Sequence, residues 1–153
     1  MPYGWQFPGE RVFIASAKGP RLNCFAMISR SNRCHWAATR QSIDADFIVG
    51  QLERLSLSIG KPSFVVLDCA RIHTGKKVQE RLRYWQQRGL HLLYLPPYSP
   101  HLNLAETLWR KLKAEWLNVE DYLQEDALFY ATTRCMASVG THLKINFSHF
   151  NLN

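Results

Sequence analysis

The sequence predicts an α/β domain, a mixed sheet with helices on both faces, on three observations. Val12–Ala17, Leu22–Ile28 and Cys34–Thr39 are short apolar runs punctuated by turn residues. Phe64–Leu67 is a β-branched apolar run without alternation, and a helical pattern links it to another apolar run at Leu90–Leu95. At 153 residues the chain suffices for one core and not for two, so 1–153 is read as a single domain. With 46% hydrophobic and 20% charged residues, it is neither disordered nor collagen-like.

The elements follow in order. Lys18-Gly19-Pro20 and Ser29–Arg33 divide the first three runs into an antiparallel meander. Phe47, Ile48, Leu52, Leu55 and Ile59 have helical spacing within Ile43–Ile59, and Gly60-Lys61-Pro62 stops that helix. Phe64–Leu67 reads as a central strand covered on both faces and ended by Asp68. Val78, Leu82 and Trp85 line a helix that closes at Gly89, so that Leu90–Leu95 completes a βαβ unit before a proline loop. A helix over Leu104–Leu117 carries Leu108, Leu112 and Trp116 on one stripe, and Tyr122–Val139 reads as the last helix. A meander followed by βαβ is the arrangement called ribonuclease H-like, although periodicity alone does not separate it from other mixed sheets.

Charge narrows the partners. Nineteen Lys and Arg against twelve Asp and Glu leave +7, which favours a polyanion such as DNA. Six basic residues and one acid fall between Arg71 and Arg88. The longest uncharged stretch, Gly89–Ala105, contains prolines that exclude a membrane span, and the first residues lack the pattern of a secretory signal, so a cytoplasmic location is expected. Cys24, Cys34, Cys69 and Cys135 lack zinc-ligand spacing and read as free buried thiols.

Asp68 stands just past a strand's carboxyl end, where open α/β sheets place groups that act on ligands, although an Asp there also caps turns. Glu106 follows the stiff segment Pro96-Pro97-Tyr98-Ser99-Pro100; Asn103 and Glu106 also have capping-box spacing, which gives Glu106 an alternative structural role. Two such carboxylates suit Mg²⁺ and phosphoryl transfer, for which a third acid is usual. His73 reads either as a neighbour of substrate or as a helix-start and packing residue. The helix from Lys76 to Arg88 reads either as a phosphate-tracking surface or as a solvated face. Thr74-Gly75-Lys76 is not a P-loop, because position 70 is Ala.

Val65-Val66-Leu67-Asp68-Cys69-Ala70-Arg71-Ile72-His73 and Leu95-Pro96-Pro97-Tyr98-Ser99-Pro100-His101-Leu102-Asn103-Leu104-Ala105-Glu106-Thr107-Leu108-Trp109 resemble two catalytic blocks of mariner-type insertion-sequence transposases, members of the DDE superfamily endonucleases. Those blocks read roughly V-L-D-N-A-x-x-H and L-P-P-Y-S-P-x-L-N-P-I-E-x-x-W, and 37 residues lie between Asp68 and Glu106, near the family's spacing. Cys69 stands where Asn is usual, and Leu104-Ala105 where Pro-Ile is common. The match is densest over 63–117.

The resemblance implies a ribonuclease H-like fold and a DDE triad that cuts and joins DNA with Mg²⁺ or Mn²⁺. Asp68 and Glu106 would be its second and third metal ligands, supported by the matching His73, Pro97, Tyr98, Ser99, Pro100, Asn103 and Trp109. Lys76, Lys77, Arg81, Arg83, Arg110 and Lys113 are the candidate DNA contacts. The family's first Asp precedes a segment that Trp5 and Gly9 resemble; here no Asp occurs before Asp44, and Asp44 and Asp46 read as helix-start acids. The expectation is therefore an N-terminally truncated catalytic domain, inactive in cleavage alone. Its expected partners are DNA, an upstream-encoded transposase half and a second copy, in a bacterial cytosol or nucleoid. The alternatives are a non-catalytic module that binds DNA or the transposase and regulates it, and a nuclease that uses Asp44.

Overall fold

The computed structural model describes residues 19–147, so the predicted strand Val12–Ala17 lies outside the described residues, as do Trp5 and Gly9. Strands β1 (Asn23–Ile28) and β2 (Cys34–Thr39) form an antiparallel hairpin in which Phe25 faces Ala37 and Ile28 faces Cys34. At its turn, Asn32 adopts φ 62°, and its side chain both accepts from the Ile145 amide at 2.7 Å and donates to the Ile145 carbonyl at 3.0 Å. A residue tolerant of the left-handed region thus clasps the hairpin to the C-terminal segment.

Helix α1 (Ala45–Ser58) starts where the Asp44 carboxylate accepts from the Phe47 amide at 2.8 Å, and it buries Ile48 and Leu52. Next come β3 (Ser63–Leu67), the single turn α2 (Arg71–Thr74), α3 (Lys76–Gln87) and β4 (Leu90–Tyr94). Gly89, at φ +87°, reverses the chain after α3 while lying against Pro62. Strands β3 and β4 are parallel, with Val65 opposite Leu92 and Leu67 opposite Tyr94. A 3₁₀ turn at Pro100–Leu102 leads into α4 (Leu104–Lys111). That helix continues as a π turn, Leu112–Trp116, in which the Leu117 amide donates to the Leu112 carbonyl at 3.0 Å. After a 3₁₀ turn at Val119–Tyr122, α5 (Glu125–Ser138) is the last helix described.

Two apolar clusters meet at the hairpin. Phe25 and Met27 join Ile48, Leu52, Val65, Val78 and Trp85, whereas Ala26, Ile28 and Trp36 join Leu108, Leu112 and Met136. The hairpin is thus covered on both faces, as its two-residue periodicity allows.

Strand β3 is not. Val65 and Leu67 are buried, but Phe64 is 65% exposed, Val66 50%, and Leu93 beside it on β4 49%. The expected covering of β3 on both faces is corrected: its sequence does not alternate, but its burial does, because α1 and α3 pack on one face only. A second difference concerns the sheet. The described residues form two separate two-stranded ladders, β1–β2 and β3–β4, where one mixed sheet was expected.

The thiols also differ from expectation, since Cys69 is exposed and only Cys135 is fully buried. Burial pushes the half-buried Cys34 up to about 11, which keeps it protonated and unreactive at neutral pH. Among the described residues, no helix is long and apolar enough to cross a membrane.

The α1–α3 contact centres on Glu53. Its carboxylate accepts from Arg81 at 2.9 Å, from the Trp85 indole at 2.8 Å and from Arg88. These donors, Arg88 foremost, lower its pKa to about 2 against the burial that opposes them. Because the folded pKa lies below the ordinary 4.5, the resulting stability is complete above pH 4.5 and is lost as pH falls towards 2. We expect Glu53→Gln to cost about 1–2 kcal/mol at pH 7 in urea unfolding. The gap between the two proteins should narrow between pH 4.5 and 3.

Candidate active site

Parallel pairing brings the carboxyl ends of β3 and β4 to one edge of their sheet, where the Leu95 amide extends the ladder to the Leu67 carbonyl at 2.8 Å. Asp68 is the next residue after β3. One of its carboxylate oxygens accepts from the Ala70 amide at 3.0 Å and lies 2.7 Å from His73 Nδ1. The side chain keeps 51% of its exposure. Asp68 therefore shapes the turn before α2 and still presents carboxylate to solvent, so its structural and functional readings coexist.

His73 is largely enclosed, with 15% of its side chain exposed. It holds Asp68 instead of projecting outward. Tyr94 steadies it in turn, since the phenol donates to the His73 carbonyl at 2.9 Å, and burial raises the Tyr94 pKa and keeps that donor protonated. Sequence reasoning missed Tyr94. Its place opposite Leu67 follows from the parallel register, which a sequence pattern does not supply.

Glu106 enters from the other strand end. After β4, Tyr98 takes φ 58° and is fully exposed at the tip of the proline loop, and Pro100 opens the 3₁₀ turn. The Ser99 hydroxyl donates to the Pro97 carbonyl at 3.4 Å within the loop. Asn103 then caps α4, its side chain accepting from the Ala105 amide at 3.1 Å. The expected return bond from Glu106 is absent among the described residues, because the Asn103 amide already donates to the Pro100 carbonyl at 3.0 Å. The capping-box reading of Glu106 is thereby corrected. Its carboxylate is exposed in the first turn of α4, where the helix dipole favours negative charge.

Asp68, His73 and Glu106 line one groove of about 890 Å³, together with Trp109 and the whole of β3. Arg110, one turn beyond Glu106, borders a smaller hollow of about 330 Å³ shared with Glu106 and Asn103. Carboxylate oxygens are the donors that a hard divalent cation takes, so Asp68 and Glu106 fit such an ion in kind. In number they are short of a full site, since no group of three or more His, Cys, Asp or Glu gathers among the described residues. Asp44 and Asp46 do not contribute: the first caps α1, and the second pairs with Lys77 at 2.5 Å.

The candidate DNA contacts divide into two sets. Lys77 is drawn to Asp46, Arg81 to Glu53 and the Tyr84 ring, and Lys76 towards Glu80 at 3.8 Å. Arg83, Arg110 and Lys113 are exposed and make no ion pair among the described residues.

No curated protein matches the chain. A family model described as DDE superfamily endonuclease matches residues 1–128, a span that contains β1 to β4, Asp68, Glu106 and the whole of α4. Most of the chain, including the groove where two strand ends present their acids, therefore belongs to the DDE superfamily endonuclease family.

Proposed function

We propose that this chain is the C-terminal portion of a mariner-type transposase catalytic domain, ribonuclease H-like in plan, that works in DNA transposition. The observation that carries this reading is the convergence of Asp68 and an uncapped Glu106 on one groove at the carboxyl ends of a parallel strand pair. Family membership supports DNA as the substrate. Among the described residues the groove gathers two acids and no third, which supports a site incomplete in cleavage without an acid from a partner such as a separately encoded transposase half. The setting is a bacterial cytosol or nucleoid, and the working form is a dimer.

Asp68 and Glu106 would hold Mg²⁺ or Mn²⁺, which when bound supplies polarisation of the scissile phosphate and activation of the attacking oxygen. The chain's own residues prepare the site. His73 and the Ala70 amide fix one Asp68 oxygen and leave the other for ligation. Trp109 closes one side of the groove, and Arg110 stands where it can take a phosphate oxygen beside Glu106. Arg83 and Lys113 extend phosphate contact along the duplex, with smaller shares for the paired Lys76, Lys77 and Arg81. A second reading, a non-catalytic regulator that binds DNA or the transposase, is favoured by one observation, the lack of a third acid in the groove.

The test begins with cation binding by the purified chain, followed by Mn²⁺ resonance. Asp68→Asn and Glu106→Gln should each weaken binding by at least about tenfold, and His73→Ala by about tenfold because it frees Asp68 to rotate. Equal binding by all variants would favour the regulator.

DNA binding gives an independent check through its salt dependence. Arg110→Ala and Lys113→Ala should each reduce the slope of log K against log salt by about 1. Lys77→Ala and Arg81→Ala should change it less, because Asp46 and Glu53 already engage those cations.

A further inference from the structure

Asp68 is held through its main chain as well as through its carboxylate. The residue before it, Leu67, accepts from the Leu95 amide at 2.8 Å, and the residue after it, Cys69, donates its thiol to the Leu95 carbonyl at 3.2 Å. Both chain neighbours of Asp68 are thus tied to one residue at the end of β4. Leu95 is also where the loop to Glu106 begins, since Pro96 and Pro97 follow it. Neither proline has an amide to donate, so the amide and carbonyl of Leu95 are the last such pair available there.

The thiol fills a place that the backbone vacates. In a parallel ladder, the bond that follows the one from the Leu95 amide to Leu67 runs from the Cys69 amide to the Leu95 carbonyl. Among the described residues that amide makes no such bond, because the chain turns at Asp68, whose carboxylate accepts from the Ala70 amide at 3.0 Å. The Cys69 side chain supplies the Leu95 carbonyl with the partner that the turn removes. Packing does not account for this cysteine. Of the four in the chain it is the exposed one, whereas burial raises the pKa of Cys24, Cys34 and Cys135. A thiol is a weak donor, but this one closes a short ring with the Leu95–Leu67 bond around Asp68.

We propose that Cys69 is a positioning residue of the site, its thiol fixing the Asp68 main chain to Leu95 so that Asp68 and the loop carrying Glu106 share one anchor. The proposal rests on the metal role proposed for those two acids. Cys69 acts on them through Leu95, without touching cation or DNA itself. The labour is divided. His73 and the Ala70 amide set the direction of the Asp68 carboxylate, and Cys69 sets the place of the backbone that bears it.

The experiment compares Cys69→Ala, which removes the donor, with Cys69→Ser, which keeps one, in the full chain. Without any metal, hydrogen exchange at the Ala70 amide reports the hold on Asp68, and exchange at the Leu95 amide reports the joint between the strand ends. Cys69→Ala should speed exchange at both amides by about fivefold and Cys69→Ser by less than about twofold, with Leu52 in α1 keeping its rate in each. Mn²⁺ affinity, read by resonance, should fall at least about threefold in Cys69→Ala and return in Cys69→Ser. Unchanged exchange in Cys69→Ala, or equal acceleration in both variants, would overturn the proposal. So would acceleration that reaches Leu52, which would mark a general loosening of the fold. Mn²⁺ also separates the two readings. Faster exchange in Cys69→Ala, with Mn²⁺ binding indifferent to Asp68→Asn and Glu106→Gln, would keep the anchor and discard the metal role. Mn²⁺ binding that depends on both acids but not on Cys69 would keep the metal role and overturn the positioning.

Discussion

The parallel pairing of β3 with β4 is the constraint from which the site follows. Parallel strands send both carboxyl ends to the same edge, and the bond from the Leu95 amide to the Leu67 carbonyl carries that alignment one step past the strands. Asp68 and the loop to Glu106 then start from neighbouring points although 37 residues separate the two acids. A parallel pair needs a crossover, and α3 supplies it with Val78 and Trp85 fully buried against the strands. Glu53 secures that crossover from the other helix, so an acid remote from the groove contributes to the alignment of the groove's own acids.

Local chain geometry then decides which carboxylates are available. The 3₁₀ turn at Pro100–Leu102 gives the Asn103 amide a partner in the Pro100 carbonyl, and this leaves Glu106 with no capping duty. Asp68 has such a duty and is held by it. The two acids reach the same groove in different states, one oriented by His73 and the Ala70 amide, the other carried on the first turn of a helix. Such a pair is partly preorganised.

Much of this was legible in the sequence. The strand at Cys34–Thr39 and the helices around Ile48 and Trp85 follow from turn residues and apolar spacing, and the structure places them there. Asp68 and Glu106 stood out as candidates from their position after strands and from the motifs around them, and the structure brings both to one groove. What was not legible depends on partners remote in sequence. A run such as Phe64–Leu67 shows its apolar content but not which neighbours arrive, and only one face found helices. Asn103 and Glu106 showed capping-box spacing, but a competing carbonyl at Pro100 took the amide. Tyr94 gained its role from register alone.

Charge shows the same dependence on distant partners. The richest basic segment, Arg71 to Arg88, looks in one dimension like a track for a polyanion. In three dimensions α1 lays Asp46 and Glu53 against it, and three of its cations, Lys77, Arg81 and Arg88, become ties between helices. Arg110 and Lys113, fewer and less conspicuous, sit instead on the helix that presents Glu106. A phosphate drawn by α4 would arrive beside the acids, whereas on α3 Arg83 is open to one but Lys77 and Arg81 are already engaged by carboxylates of α1. Polyanion attraction at the groove therefore depends on which cations remain uncompensated near it, and the density of basic residues along the chain is a poor guide to that.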